Sequence, residues 1–186
     1  GSHGKTSTST LLTTLLDLCT KDTSSIVGGI LPKYESNTII KNSNYLIAEI
    51  DESDGTISTY KPYLGIINNI DFDHCDYYSN IKELISSFNK FGSNSNILLT
   101  NYDCKITKDN ITSDYKWSIK KSSNVDFAMI SKKLDPEYTI ADYYEKGKEI
   151  TRLTIPIPGV HNLSNIAAAI SACRIINIDI NCILKN

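Results

Sequence analysis

The spacing of apolar residues along the chain predicts two amphipathic helices. Between Thr6 and about Thr20, apolar side chains recur every three or four positions and would form one face of a helix. The residues on that face are Leu11, Leu12, Leu15, Leu16 and Cys19. A second stripe with the same spacing predicts another helix, with Ile81, Leu84, Ile85, Phe88 and Phe91 on its apolar face.

Three short segments are mainly apolar in a continuous run instead of alternating regularly with polar residues. They are Ser25–Ile30, Tyr45–Ile50 and Leu64–Ile70. Continuous apolar runs are typical of parallel strands whose two faces are both covered by helices. With a further candidate strand at Asn96–Thr100, these segments predict a central sheet.

The pattern changes between Asp114 and Pro156, where short segments are rich in β-branched and aromatic residues. Val125–Ile130, Tyr138–Tyr144 and Glu149–Ile157 predict an antiparallel meander at one edge of the sheet, with a turn at Lys146-Gly147-Lys148. Asn162 is placed to cap a last helix. The apolar face of that helix would consist of Leu163, Ile166, Ala167, Ile170 and Cys173.

These elements predict an α/β domain of the P-loop nucleotide-binding type. Its central sheet is mostly parallel, is flanked by helices and carries a small antiparallel meander at one edge. A length of 186 residues fits one such domain.

Composition and charge argue against two kinds of partner. No apolar run approaches the roughly 20 residues of a membrane-spanning helix, so a membrane is not an expected partner. The net charge of −2 and pI near 5.9 argue against nucleic acid as a partner, because nucleic-acid-binding domains normally carry a basic patch.

The five cysteines are odd in number, and no two have the C-x-x-C spacing. This arrangement predicts neither a disulfide framework nor a zinc site. A reducing cytoplasm is the simplest setting, and nothing at the start of the chain resembles a signal peptide.

The first six residues, Gly1-Ser2-His3-Gly4-Lys5-Thr6, match the end of a phosphate-binding loop and lead directly into the first predicted helix. In such a loop, backbone N–H groups at the helix N-terminus face the phosphates. Lys5 would bring a positive charge to the terminal phosphates, and the Thr6 hydroxyl would bind Mg²⁺. Two alternatives are a glycine turn followed by a lysine, and a Gly-Ser-His remnant of a cloning vector that completes the pattern by accident.

Four carboxylates crowd the end of an apolar strand in the segment Glu49-Ile50-Asp51-Glu52-Ser53-Asp54. Ligands of open α/β sheets bind beyond the carboxyl ends of strands, and Mg²⁺ prefers carboxylate oxygens. Glu49 is the leading candidate for a metal ligand because an unpaired charge inside an apolar stretch is costly. Asp51 and Glu52, taken separately, are expected to belong to a solvated acidic loop.

A second strand end carries Asn68-Asn69-Ile70-Asp71-Phe72-Asp73-His74. The residues alone leave open whether His74 is structural or binds a metal, because imidazole is an unusual ligand for Mg²⁺. Asp73 could orient His74, and Cys75 is explained by ordinary packing.

The segment Gly159-Val160-His161-Asn162 precedes the last predicted helix. Asn162 is fully explained as a helix cap, and contact with an adenine base is the functional alternative. The spacing does not decide between these two interpretations.

Taken in order along the chain, these segments resemble the central domain of the Mur ligases, the ATP-dependent amide-forming enzymes of peptidoglycan synthesis. The resemblance runs from Gly1 to about Asn165. The segments that carry it are Gly1–Thr6, Val27-Gly28-Gly29, Ala48–Gly55, Asn69–His74 and Pro158–Asn162. The acidic string at Glu49–Asp54 favours the alanine-adding branch of the family, because the later ligases usually lack it.

The resemblance implies an enzyme of three domains, of which the chain would be the central ATPase between a UDP-binding domain and a C-terminal domain. Its substrates would be UDP-N-acetylmuramate and L-alanine, and its cofactors ATP and Mg²⁺. The muramoyl carboxylate would become an acyl phosphate, which the alanine amine then attacks.

The resemblance also implies roles for single residues. Gly1 to Ser7 would surround the phosphates, and Lys5 would neutralise the transferring phosphate. Thr6 and Glu49 would bind one Mg²⁺, and His74 a second. His161 and Asn162 would meet the adenine. The alternatives are another Mur-type ligase, such as one that recycles murein tripeptide, and a P-loop module that binds nucleotide without ligating anything.

Overall fold

The computed structural model describes residues 1–20, 22–31, 33–72 and 77–185. The helices are α1 (Lys5–Thr20), α2 (Ile81–Asn94), α3 (Lys105–Asn110), α4 (Val160–Ile175) and α5 (Ile180–Leu184). The strands are β1 (Thr23–Leu31), β2 (Ser36–Ile39), β3 (Tyr45–Ala48), β4 (Leu64–Ile67), β5 (Ile97–Asn101), β6 (Tyr115–Ser118), β7 (Phe127–Leu134), β8 (Thr139–Glu145) and β9 (Lys148–Ile155).

The described strands form two hydrogen-bonded sheets. The larger has the order β4-β5-β6-β7-β8-β9, in which the first three pairings are parallel and the last two antiparallel. The smaller has the order β2-β1-β3, with β1 parallel to β3 and antiparallel to β2. The predicted α/β class with an antiparallel meander at one edge is confirmed.

The prediction of one continuous central sheet is wrong in one respect. β1 and β3 belong to the smaller sheet and β4 to the larger, because no strand in the described part of the chain lies between β3 and β4. β2 and β6 were not predicted. Each is only four residues long, and in β2 only Ile39 is buried, so neither carries a clear apolar pattern.

Helices cover both faces of the larger sheet. Leu99 of β5 belongs to a buried cluster with Leu16 of α1 and Leu163 of α4. Its neighbour Leu98 belongs to a second cluster with Phe88 of α2. Since adjacent strand residues point to opposite faces, α1 and α4 lie on one side and α2 on the other. Among the described helices, none is long and apolar enough to cross a membrane.

The start of α4 differs from the prediction that Asn162 caps it. The capping residue is Gly159, whose φ of 101° lies in the region that favours glycine. Asn162 is already within the first turn, and its Nδ2 donates a hydrogen bond to the carbonyl oxygen of Pro158 at 2.7 Å. The helix therefore begins earlier than the position of the asparagine indicates.

The prediction that the cysteines form no disulfide is also wrong. Cys19, in the last turn of α1, is bonded to Cys182 in α5, with the two Cα atoms 5.8 Å apart. The two residues are 163 positions apart in sequence, so no local spacing could reveal the pair. Cys104 and Cys173 are free thiols. The cytoplasmic setting stays a prediction.

Asp17 connects α1 to the segment around β2. Its carboxylate is 5% exposed and accepts hydrogen bonds from Lys33, at 2.9 Å, and from Tyr34 and Lys41. Burial acts to raise the pKa of Asp17, but the hydrogen bonds from Lys41, Tyr34 and Lys33 outweigh burial and lower the pKa to about 2. The ionised form is therefore favoured in the folded protein.

We expect Asp17→Asn to cost about 2 kcal/mol of unfolding free energy at neutral pH. Because the pKa of Asp17 falls from 3.8 to about 2 on folding, the stabilisation is fully present at pH values above 3.8 and is lost as pH falls through about 2. Denaturant unfolding between pH 7 and pH 2 measures it. Asp109→Asn, which changes an exposed aspartate, is the matched control. The expectation is contradicted if the unfolding free energy of Asp17→Asn falls between pH 7 and pH 2 as steeply as that of the wild type.

Candidate functional site

The glycine-rich loop enters α1 beside the carboxyl ends of β3 and β4. Gly4 has a φ of 75°, and a Cβ atom there would lie 2.4 Å from Oδ1 of Asn165. Both facts restrict this position to glycine. The backbone N–H groups of the first turn of α1, at Lys5, Thr6 and the exposed Ser7, lie at the positive end of the helix dipole, which attracts anions.

The loop is held by the segment that follows β4. The N–H of His3 donates to Oδ1 of Asn69 at 2.8 Å, and Nδ2 of Asn69 donates to the carbonyl oxygen of His3 at 2.9 Å. The Ser2 hydroxyl donates to the carbonyl oxygen of Asp71 and accepts from its N–H. These reciprocal bonds fix the loop against the end of β4.

Lys5 already has a carboxylate partner. Its Nζ donates to Oε2 of Glu52 at 3.0 Å and lies 3.9 Å from the more exposed Asp51. Glu52 is 4% exposed, so the interpretation of Glu52 as part of a solvated acidic loop is wrong. Burial acts to raise the pKa of Glu52, but nearby positive charge, which includes the ammonium of Lys5, outweighs burial and lowers it.

Glu49 lies just beyond the end of β3 and points toward the start of α1. Its Oε1 accepts a hydrogen bond from the Thr6 hydroxyl at 2.8 Å. Its Oε2 accepts from the N–H of Gly28 at 2.6 Å and from the Ser9 hydroxyl at 3.2 Å. Three hydrogen-bond donors fix the orientation of this carboxylate.

Gly28 makes this position of Glu49 possible. A Cβ atom on Gly28 would lie 2.9 Å from both carboxylate oxygens of Glu49. The neighbouring Gly29 similarly leaves room for the methyl group of Thr6, which a Cβ would approach to 2.7 Å. The Val27-Gly28-Gly29 segment of β1 therefore forms the wall against which the Thr6–Glu49 pair packs.

The Thr6 hydroxyl and the Glu49 carboxylate are hard oxygen donors, which fit Mg²⁺ and fit softer metals poorly. The pair of Thr6 and Glu49 suits Mg²⁺, which is usually bound by one or two carboxylates together with substrate phosphates and water. Within the described ranges, no group of three or more His, Cys, Asp and Glu side chains could hold a metal by itself.

The amino end of α4 also meets the loop. Nδ2 of Asn68 donates to the Thr8 hydroxyl at 2.8 Å, and that hydroxyl donates to Oδ1 of Asn165 at 3.4 Å. His161 and Asn162 lie in the first turn of the same helix, about one turn before Asn165. The end of α4 that carries His161 and Asn162 is thus the end that lies beside the loop.

The structure brings together some of the residues predicted for the site and does not describe others. Lys5, Thr6 and Glu49, predicted from separate segments, lie together at one site. His74, with Asp73 and Cys75, lies outside the described residues, so its metal-binding role stays a prediction.

Sequence reasoning missed Asn69 and Asn165, which hold the loop, and misjudged Glu52. The location of Asn69 at a strand end was visible in the sequence. The contact partners are far apart in sequence: 66 positions for His3 and Asn69, 157 for Thr8 and Asn165, and 47 for Lys5 and Glu52. Such separations carry no local signal.

Comparisons with known proteins give one consistent family. A family profile described as the Mur ligase middle domain matches residues 1–173. A UDP-N-acetylmuramate–L-alanine ligase of Prochlorococcus marinus subsp. pastoris is 60% identical over 186 residues, which is 100% of this chain and 39% of that protein. The enzyme of the same name from Synechococcus sp. is 44% identical over 184 residues, 99% of this chain and 38% of that protein.

Solved structures share the fold. The UDP-N-acetylmuramate-alanine ligase of Thermotoga maritima has a TM-score of 0.89 at 24% identity, over 100% of this chain and 42% of that chain. UDP-N-acetylmuramate:L-alanyl-gamma-D-glutamyl-meso-diaminopimelate ligase of Neisseria meningitides has a TM-score of 0.84 at 20% identity, over 100% of this chain and 62% of that chain. At these identities the likeness concerns the fold alone. The chain spans about two fifths of the length of the curated relatives it matches.

Proposed function

This chain belongs to the Mur ligase family as a middle domain, and from that premise we propose that it binds Mg·ATP for a longer enzyme that joins L-alanine to UDP-N-acetylmuramate. The main support for nucleotide binding is the hydrogen bond between Thr6 and Glu49, which lies beside Lys5 at the start of α1. The substrates are proposed because relatives that match 99% to 100% of this chain are named for them.

In the proposed reaction, a carboxylate oxygen of the sugar substrate attacks the terminal phosphorus of ATP, and ADP leaves. The alanine nitrogen then attacks the acyl carbon, and phosphate leaves as the amide forms. No protein nucleophile is needed, so the chain contributes positioning and charge. Mg²⁺ held by Thr6 and Glu49 would supply neutralisation of phosphate charge.

Each residue of the site has a role in this proposal. The ammonium of Lys5 neutralises the transferring phosphoryl group, and the N–H groups at the start of α1 bind phosphate oxygens. Asn69 and Gly4 preserve the shape of the loop. His161 and Asn162 are proposed to contact the adenine, since their helix begins beside the loop.

Glu52 is proposed to hold Lys5 when no nucleotide is bound and to compete with phosphate for its ammonium. We expect Glu52→Gln to tighten ATP binding by about fivefold, because it removes a buried negative charge close to the phosphates. Fluorescence titration with a labelled ATP analogue measures this. Glu83→Gln, on the exposed first turn of α2, is the control, and weaker binding in Glu52→Gln would show that Glu52 positions Lys5 for the nucleotide instead.

The test of the ligase proposal uses the longer polypeptide with its flanking domains. Phosphate release from ATP is expected only when both UDP-N-acetylmuramate and L-alanine are present. Release that requires the murein tripeptide instead of L-alanine would make the protein a recycling ligase. Binding of ATP without release under any of these conditions would support a nucleotide-binding module and contradict the proposed reaction.

A further inference from the structure

A cavity of about 540 Å³ lies at the carboxyl ends of β5 and β6. Its walls come from the segment that leads from β5 into α3 and from the turn that follows β6. In open α/β sheets, ligands bind at this edge of the sheet. None of the described residues of the nucleotide site lines this cavity. We call it the lysine pocket, because its lining includes Lys105, Lys108, Lys120 and Lys121.

The lysines of the pocket have no carboxylate partners. Within the described residues, none of the four forms an ion pair, in contrast to Lys5, which pairs with Glu52. The lining also contains Asp103 and Asp109. Asp109 is exposed, so water and salt screen its charge. Positive charge therefore exceeds negative charge in the pocket, and the four ammonium groups are available to a ligand.

Asp103 connects the two walls of the pocket. Its carboxylate oxygens accept hydrogen bonds from the Ser118 hydroxyl and from the N–H of Ile119, both at 2.8 Å. In addition, Nδ2 of Asn124 donates to the Tyr102 hydroxyl at 3.2 Å. These contacts hold the turn after β6 against the segment after β5. The pocket is therefore formed before any ligand binds, which lowers the entropy that binding would cost.

Tyr102 is the aromatic residue of the lining, and positive charge surrounds it. Nζ of Lys108 lies 4.5 Å from the centre of the Tyr102 ring, so a cation already occupies one face of the ring. The hydrogen bond from Asn124, together with the nearby charges of Lys108 and Lys116, outweighs burial and lowers the pKa of the Tyr102 hydroxyl. The ring thus offers little surface on which a nucleic acid base could stack.

We propose that the lysine pocket binds a small molecule that carries two or more adjacent phosphate groups. The lysine ammonium is a compact charged donor that binds phosphate well. Two of the lysines come from α3 and two from the turn after β6, so neighbouring phosphates could be contacted from both walls at once. This inference goes beyond the proposed function, since it concerns a second site for anions.

The lysine pocket and the phosphate loop are neighbours along the same edge of the larger sheet. The N–H of Ile70 donates to Sγ of Cys104 at 3.5 Å, and Cys104 directly follows Asp103 of the pocket. On the other side, Ile70 lies between Asn69 and Asp71, which hold the phosphate loop. A test of the pocket therefore has to distinguish the two sites residue by residue.

Amide NMR of the protein, titrated with inorganic pyrophosphate in EDTA and without Mg²⁺, makes this distinction. The amides of Tyr102, Ser118 and Ser122 are expected to shift along one saturating curve. Those of Lys5–Ser7 report the nucleotide site in the same titration, so failure of one site is seen separately from failure of the other.

A second titration, with UDP, separates recognition of phosphate from recognition of a nucleoside. UDP is expected to bind the pocket with an affinity within about threefold of that of pyrophosphate, because the pocket offers little surface for stacking of a base. An affinity for UDP more than about 10-fold higher would overturn the proposal that the phosphate groups are what the pocket recognises.

Lys108→Gln combined with Lys120→Gln removes one charge from each wall and is expected to weaken pyrophosphate binding at the pocket by at least about 10-fold. Lys82→Gln combined with Lys90→Gln is the matched control, because it removes two exposed lysines from α2. Amide shifts outside the substituted regions verify that both variants fold. Equal weakening in the two double variants would overturn the proposal, since net charge alone would then explain binding. So would shifts confined to Lys5–Ser7, or no shift of the pocket amides.

Discussion

Replacing Lys5 with alanine is expected to weaken Mg·ATP binding by at least about 100-fold. The ammonium of Lys5 is the cationic side chain placed at the amino end of α1, and it is only 19% exposed. Its removal takes away a charge-assisted contact with phosphate and also leaves Glu52 buried without its partner. Isothermal titration calorimetry with ATP and Mg²⁺ measures the loss.

Two further variants separate these effects. Lys90→Ala removes an exposed lysine from α2 and should leave the affinity unchanged. Lys5→Ala combined with Glu52→Gln should recover the stability lost through the unpaired carboxylate but not the affinity for ATP. Equal affinity in the wild type and Lys5→Ala would remove the loop from the nucleotide site.

Replacing Glu49 with glutamine is expected to reduce the effect of Mg²⁺ on ATP affinity by on the order of 10-fold or more. Glutamine has nearly the same shape and can still accept a hydrogen bond from the Thr6 hydroxyl, although its amide nitrogen cannot accept from the N–H of Gly28 as Oε2 of Glu49 does. It lacks the negative charge that attracts the cation. The ratio of ATP affinities measured with Mg²⁺ and with EDTA isolates this effect from phosphate binding.

Glu83→Gln is again the matched control, because it removes one carboxylate far from Glu49 along the chain. The ratio should be unchanged in that variant. A Glu49→Gln variant that retains the full response to Mg²⁺ would mean that Glu49 has only a structural role, as the acceptor for Thr6 and Gly28.

The parts of the fold that sequence predicted are those with a long or continuous apolar pattern. α1, α2 and β1 have such a pattern, and the antiparallel meander is rich in β-branched and aromatic residues. The bounds of these elements differ from the predictions by only a few residues. β2 and β6 are too short and too polar to show one. The start of α4 was misplaced because Asn162 is a good capping residue, whereas the backbone angle of Gly159 decides where the helix begins.

At the site, sequence predicted the residues whose chemistry is conspicuous locally. Lys5 and Thr6 follow a glycine turn, and Glu49 is a charge in an apolar stretch. Glu52 was misjudged because its burial depends on Lys5, 47 residues away. The Cys19–Cys182 bond likewise depends on how α5 packs near the end of α1, which no local pattern reports.

The most direct test of the central claim locates the metal at the nucleotide site. A crystal of the protein with Mn²⁺ in place of Mg²⁺ and a non-hydrolysable ATP analogue should show an anomalous peak about 2.1 Å from the Thr6 hydroxyl and from a Glu49 oxygen. The analogue's phosphates should lie at the start of α1 beside Lys5. A peak away from both residues, with Glu49 still accepting the Thr6 hydroxyl, would contradict the account.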